Sequence, residues 1–152
     1  SQEVLQQSNL TKADAFQTIA NEYGFADWES IKSNEDAIYD GKFEQAVSHL
    51  LEGNFEILKA LVEQNKYLLY QRSSYGHRAT LLHYVASNGV ELWRQQVPEN
   101  LPAMTKFWLE MGADKDAKME VYGGEFDTLT LLKSSAHPFE AGVGEEMVEL
   151  LE

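Results

Sequence analysis

Apolar residues recur at helical spacing in paired segments, and this recurrence constrains the fold more than any other feature of the sequence. The first pair of stripes lies within 43–51 and 55–62, with a turn at Gly53 and Asn54 between the two helices. Apolar spacings of three and four residues predict amphipathic helices. So short a linker predicts that the two helices are antiparallel neighbours.

The same order recurs twice downstream. A short apolar stripe over 81–86 is followed by a longer one over 103–111. A third pair begins near Thr130 and ends with a stripe over 143–151. Recurrent helix pairs are typical of a repeat array rather than a bundle. The sequence therefore predicts an all-α fold in 37–152, a solenoid of about three stacked antiparallel helix pairs.

Two connecting segments between the pairs are predicted to form fingers that resemble β-hairpins. The first finger, 67–78, mixes tyrosine, leucine, arginine and serine. The second finger, 116–130, contains two stretches of extended character, 118–122 and 125–128, around the glycines at 123–124. Consecutive glycines supply the positive φ angles that a tight hairpin turn demands.

Two short motifs resemble the ankyrin repeat. T-L-L-H-Y-V-A at 80–86, closed by Gly89, resembles the family's T-P-L-H-x-A signature, with Leu81 in place of the proline. G-A-D-K-D-A at 112–117 resembles the family's G-A-D-x-N-A ending. The resemblance extends over about 42–152 and implies an ankyrin-type solenoid. The residues that match the motifs are Thr80, Leu82, His83, Ala86, Gly89, Gly112 and Asp114.

The motif residues have expected structural roles. In ankyrin repeats the histidine is a hydrogen-bonding strut between adjacent loops, so the resemblance implies that role for His83. Thr80 is placed to cap the short helix that follows it. Gly112 can take the left-handed conformation that ends a helix. Asp114 can accept hydrogen bonds from backbone amides in the next turn.

The N-terminal part, 1–36, is predicted to be a separate helical cap. Apolar residues recur at helical spacing from Ala13 to Tyr23, with Thr11 as a candidate N-cap. Residues 11–33 resemble the short helical pairs that precede repeats in other proteins. A cap of this kind would cover the apolar face that an end repeat otherwise leaves exposed to water.

The charge balance bears on the kind of partner. The net charge is −13 at pH 7, and the 12 lysines and arginines do not cluster. Nucleic-acid binding normally needs a basic patch, so we expect no nucleic-acid partner. An acidic surface favours a basic partner or serves solubility. No apolar stretch approaches the roughly 20 residues that span a bilayer. We therefore expect a cytoplasmic, monomeric protein without a leader peptide or membrane contact.

The sequence shows no catalytic constellation. The absence of cysteine excludes disulfides and thiolate chemistry. The four histidines do not have the H-E-x-x-H spacing of zinc hydrolases. We therefore expect no enzyme activity, no cofactor and no metal. The alternative is a small metal-dependent hydrolase, whose site would combine His77, His83, His137 and Asp127.

A non-catalytic role in protein binding is the favoured hypothesis. Finger tips and first helices line the concave binding face of such arrays, and aromatic and arginine side chains are enriched in binding hot spots. Alternatively, the tyrosines pack finger against finger. A related possibility is an acidic inhibitor or immunity-type protein that neutralises a basic toxin. The candidate protein-binding residues are Tyr70, Arg72, Tyr75, Tyr84, Tyr122 and Phe126.

An insertion at 91–101 lengthens the turn within the second helix pair. Trp93 and Arg94 could form a second contact patch, or fold back over the helices. The insertion connects helices within one pair, whereas the fingers connect one pair to the next. We therefore expect it at the opposite end of the helices, away from Tyr84 and the finger aromatics.

Overall fold

The computed structural model describes residues 41–152. Within this part the chain is mostly helical and contains one two-stranded antiparallel sheet. The predicted cap, 1–36, and the first residues of the predicted repeat domain, 37–40, lie outside the described residues.

The first predicted helix pair is confirmed as two α-helices. They are α1 (Gly41–Glu52) and α2 (Phe55–Gln64). Gly53 adopts a φ of 76° in the turn between them, a conformation that glycine takes without a steric penalty. The two helices pack against each other, with Leu50 fully buried between them and the rest of the core.

The second pair differs from the prediction in its first member. Leu82–Ala86 is a 3₁₀ helix, which the left-handed residue Ser87 ends. Helices this short are commonly of the 3₁₀ type. Its companion is the α-helix α3 (Leu101–Glu110), as predicted. Two further 3₁₀ turns, Lys66–Leu69 and Leu92–Arg94, begin the first finger and the insertion.

The second finger contains the predicted hairpin, with its turn displaced by one residue. Strand β1 (Lys118–Val121) pairs antiparallel with β2 (Gly124–Asp127). The turn residues are Tyr122 and Gly123, with φ angles of 53° and 74°. Positive φ at both positions is what a type I′ hairpin turn requires. The prediction that both glycines form the turn was therefore wrong, since Gly124 lies within β2.

The third pair is present with an additional short helix between its members. It consists of α4 (Thr128–Lys133) and α6 (Gly144–Leu151), with α5 (His137–Glu140) between them. The carboxylate of Asp127 accepts a hydrogen bond from the Thr130 N–H at 2.9 Å. This N-cap starts α4 directly after the hairpin.

Neighbouring pairs share one core. α4 packs against the 3₁₀ helix Leu82–Ala86 and against α6, and α6 also packs against α3. Large side chains from every pair are buried together. They include Phe43, Leu58, Tyr84, Trp108, Met119, Leu132 and Met147.

Replacement of Ser87 by glycine is expected to stabilise the protein by about 1 kcal/mol. The φ of Ser87 is 52°, and its buried hydroxyl has no hydrogen-bond partner within 41–152. Glycine removes the backbone strain and the unsatisfied hydroxyl from the folded protein. This gain in free energy exceeds the cost of the greater conformational entropy that glycine gives the unfolded chain. Chemical denaturation measures the effect. Gly89→Ala is the control and should destabilise, because φ is 77° there and a Cβ would lie 3.1 Å from Val121. A less stable Ser87→Gly variant would contradict the prediction.

Candidate protein-binding site

The two fingers are joined by hydrogen bonds. The Glu120 N–H donates to the carbonyl oxygen of His77 at 2.8 Å. The guanidinium Nη1 of Arg72 donates to the carbonyl oxygens of Arg78 at 2.8 Å and Lys118 at 2.7 Å. Arg72 was predicted to contact a partner protein. In the structure its Nη1 bridges one finger to the next, and contact with a partner stays a prediction.

His83 joins the 3₁₀ helix of the second pair to the start of the second finger. Its Nδ1 accepts a hydrogen bond from the Thr80 N–H at 2.8 Å, and its Nε2 donates to the Ala117 carbonyl oxygen at 2.7 Å. Burial lowers the pKa of His83 to about 4. The neutral imidazole therefore forms the strut between loops that the motif predicted.

The other motif residues have mostly the expected geometry. Gly112 takes a φ of 101°, and the Asp114 carboxylate accepts the Asp116 N–H at 2.9 Å. Gly89 lies against Val121, which leaves little room for a side chain. Leu82 and Ala86 are buried. The prediction for Thr80 was wrong, because its hydroxyl lies 3.0 Å from His83 Nδ1 and makes no helix cap.

Two of the candidate aromatic side chains are strongly exposed. Tyr70 is 64% exposed and Tyr122 is 71% exposed. The Tyr122 hydroxyl donates to Asn88 Oδ1 at 2.6 Å, which fixes the side chain beside the second helix pair. Tyr75 and Phe126 are half-buried, and Phe126 packs against the core. The accessible aromatic surface of the fingers is therefore centred on Tyr70 and Tyr122.

Tyr84 is not on the surface. It was predicted to face a partner from the exposed side of its helix, but its side chain is fully buried. Its hydroxyl lies 3.0 Å from both carboxylate oxygens of Glu91. Burial, together with the negative charge of Glu91, raises the pKa of the Tyr84 hydroxyl. Ser87, three residues further along the chain, is buried as well.

A buried ionic network surrounds Tyr84, and we define it as Glu44, His77, Tyr84, Glu91 and Arg94. His77 Nδ1 accepts the Ala79 N–H at 3.0 Å, so its Nε2 carries the proton that it donates to Glu91 Oε1 at 2.7 Å. Both His77 and Glu91 are fully buried. A buried carboxylate needs such partners, because burial of an unpaired charge is very costly.

The insertion folds back onto this network. Arg94 Nη1 lies 2.5 Å from Glu44 Oε2 on α1 and forms an ion pair with it. The guanidinium also stands 5.8 Å from the centre of the Tyr84 ring. Burial raises the pKa of Glu44 despite the opposing charge of Arg94. The expectation that the insertion lies away from Tyr84 was therefore wrong, although Trp93 is still 47% exposed.

Sequence reasoning missed the network because its members come from four separate segments. One local signal was present, since Glu91 and Arg94 are three residues apart and flank the apolar pair Leu92 and Trp93. Opposite charges at this spacing are typical of an ion pair on the exposed surface of a helix. The burial of Glu91 follows only from the tertiary position of His77.

Two of the histidines, His77 and His83, have structural roles. Both ring nitrogens of His77 and of His83 have hydrogen-bond partners. Within 41–152, no group of three or more His, Asp or Glu side chains could hold a metal ion. No helix in this part of the chain is long and apolar enough to cross a membrane.

No protein-family model, curated protein or solved structure matches this chain significantly. Membership of the ankyrin family therefore stays a prediction from the two motifs.

Proposed function

We propose that this chain is a non-catalytic protein-interaction module with an ankyrin-type solenoid arrangement, which binds a partner protein through its fingers. Three features support the arrangement: contacts between successive helix pairs, the hydrogen bond from His83 to Ala117, and the bond between Glu120 and His77. The first and third features join neighbouring units, as stacking of repeats requires, and the second ties a short helix to the finger that follows.

The main support for the proposal is the side chain of Tyr122, which is exposed and held in place. The backbone of Tyr122 has a φ of 53°, a value that residues other than glycine seldom adopt. Strained backbone conformations of this kind cluster at binding sites. Its ring is 71% exposed while its hydroxyl is held by Asn88. An aromatic side chain that is already ordered loses little entropy when a partner covers it.

The charge of the chain supports a basic partner. A net charge of −13 would attract a cationic protein and speed its association. Neutralisation of a basic toxin is the second candidate function. It is favoured by the exposed pair Glu120 and Glu125, which stand opposite each other on the hairpin. Both candidates use the same finger surface and differ in the identity of the partner.

Replacement of Tyr122 by asparagine is expected to weaken partner binding by about 1–3 kcal/mol without loss of stability. Asparagine followed by Gly123 is the preferred sequence for a type I′ turn, so the backbone conformation should be kept. The measurement is affinity capture of binding proteins from a lysate, followed by titration of the captured partner with wild type and variant.

Phe126→Ala provides the contrast in this experiment. Because Phe126 packs against the core, its truncation should lower the melting temperature. Unchanged partner affinity in Tyr122→Asn would exclude Tyr122 from the interface. A heat-denatured sample of the chain shows which proteins are retained non-specifically. If the folded wild-type chain retains no protein beyond these, the proposed function is contradicted.

A further inference from the structure

The hairpin of the second finger has one apolar and one charged face. Met119 is fully buried, and its cross-strand partner Phe126 is half-buried. The next pair, Glu120 and Glu125, lies on the opposite face, because successive strand residues point to opposite sides of a sheet. Both glutamates are exposed. The outer face therefore presents two carboxylates directly across from each other.

This pair of glutamates is unfavourable in the free protein. Like charges directly opposite each other destabilise a strand pair. Lys118 is the basic residue of the hairpin, and it already stands opposite Asp127 on the same face. A cationic group supplied from outside would relieve the repulsion between Glu120 and Glu125.

The two edges of the hairpin differ in their hydrogen bonding. The Glu120 N–H donates to the His77 carbonyl oxygen on the outer side of β1, so Glu120 and Glu125 form a non-hydrogen-bonded pair of the ladder. By the same geometry the N–H and carbonyl of Glu125 point outward from β2. Within 41–152, neither group has a hydrogen-bond partner. The first finger thus occupies the edge of β1, whereas β2 keeps an open edge.

We propose that the open edge of β2 accepts an extended, basic segment of a partner protein as a third strand. The proposal rests on the proposed function and specifies how the partner binds. Backbone hydrogen bonds to Glu125 would supply affinity, as in other cases of strand addition. Lysine or arginine at alternate positions of the segment would face Glu120 and Glu125. The intervening residues would continue the apolar face beside Phe126.

Charge distinguishes this occupant from a second copy of the same chain. An open strand edge is a template for pairing with any extended chain, and charged edge residues prevent unwanted pairing. Here Glu125 and Asp127 flank Phe126 on the edge strand. They repel another chain with a net charge of −13 and attract a basic one.

The test is titration of the full chain with a short synthetic peptide in which lysine alternates with threonine. Amide hydrogen exchange and chemical shifts, read by NMR, report the bound position. We expect slower exchange at the Glu125 amide. The same measurement is made with two matched peptides. In one, glutamate replaces every lysine. In the other, every backbone nitrogen is N-methylated, so that the charge is kept while the backbone donors are lost in either strand orientation.

Substitutions in the protein complete the test. The double variant Glu120→Gln, Glu125→Gln is expected to bind the lysine peptide about threefold to tenfold more weakly. It should unfold at a slightly higher temperature, because the like-charge pair is gone. Glu149→Gln, an exposed change on α6, is the control and should alter neither property.

Three outcomes would overturn the proposal. They are equal binding of the N-methylated peptide, peptide-induced changes at amides outside the hairpin, and concentration-dependent protection of Glu125 without peptide. The last would identify a second copy as the occupant. If the peptide experiments contradict strand addition but a partner protein is captured, only strand addition is rejected. The proposed function then remains supported.

Discussion

Glu91→Ala is expected to lower the free energy of unfolding by about 3–5 kcal/mol, which corresponds to a fall of roughly 10–20 °C in melting temperature. The substitution leaves the His77 N–H and the Tyr84 hydroxyl without their acceptor in a fully buried place. It also leaves Arg94 with Glu44 as its remaining carboxylate partner in the network. Removing one member of a buried charge network costs more than the network contributes, because the partners stay buried and unpaired.

Glu99 in the same insertion provides the matched control. It is exposed, so Glu99→Ala should change stability by no more than about 0.5 kcal/mol. Glu91→Gln keeps one acceptor oxygen for His77 and should fall between the two. Thermal and chemical unfolding of the three variants give the comparison. If Glu91→Ala and Glu99→Ala were equally stable, the network would not hold the insertion to the body.

The helices could be predicted because their information is local. Apolar spacing fixed the existence of α1, α2, α3 and α6, since a helix with one apolar stripe must bury that stripe. The hydrogen bonds of His83 were predictable from the motif, although the capping role of Thr80 was not. The short helix α5 has no such stripe and was missed.

The position of Tyr84 could not be predicted from its own helix. Periodicity placed it on the side opposite the apolar stripe, where an exposed side chain is normal. The structure buries it because Glu91, seven residues later, returns to accept its hydroxyl. That return depends on the path of the whole insertion and on His77 from the first finger. A buried polar network is a tertiary property, and no local pattern specifies it.

The exposure of the finger aromatics was predictable, whereas the turn and the contacts between units were not. Tyr70 and Tyr122 are exposed, as expected of finger tips. The turn position was wrong because the steric preference of glycine was the one local signal. In the structure Tyr122 takes the left-handed position, and its hydroxyl is held by Asn88 from another unit. The acidic pair and open edge of the hairpin emerged only once the register was known.

His83 makes the stability of the fold sensitive to mild acid. Burial holds its pKa at about 4 in the folded protein, against the ordinary value of 6.5 in the unfolded chain. Below pH 6.5 the unfolded chain takes up a proton that the folded protein does not. The stability contributed by neutral His83 is therefore complete above pH 6.5 and is lost as the pH falls to about 4.

The expected loss from His83 is about 3 kcal/mol over that interval, because one pKa unit corresponds to about 1.4 kcal/mol. Chemical denaturation at a series of pH values measures it as the difference between wild type and His83→Gln. Glutamine can accept from Thr80 and donate to Ala117, but it does not titrate. Glu44 acts in the opposite direction, since its raised pKa favours the folded state in acid. That contribution is common to both proteins and cancels in the difference. A difference that stays constant from pH 7 to pH 4 would show that folding does not exclude the proton from His83.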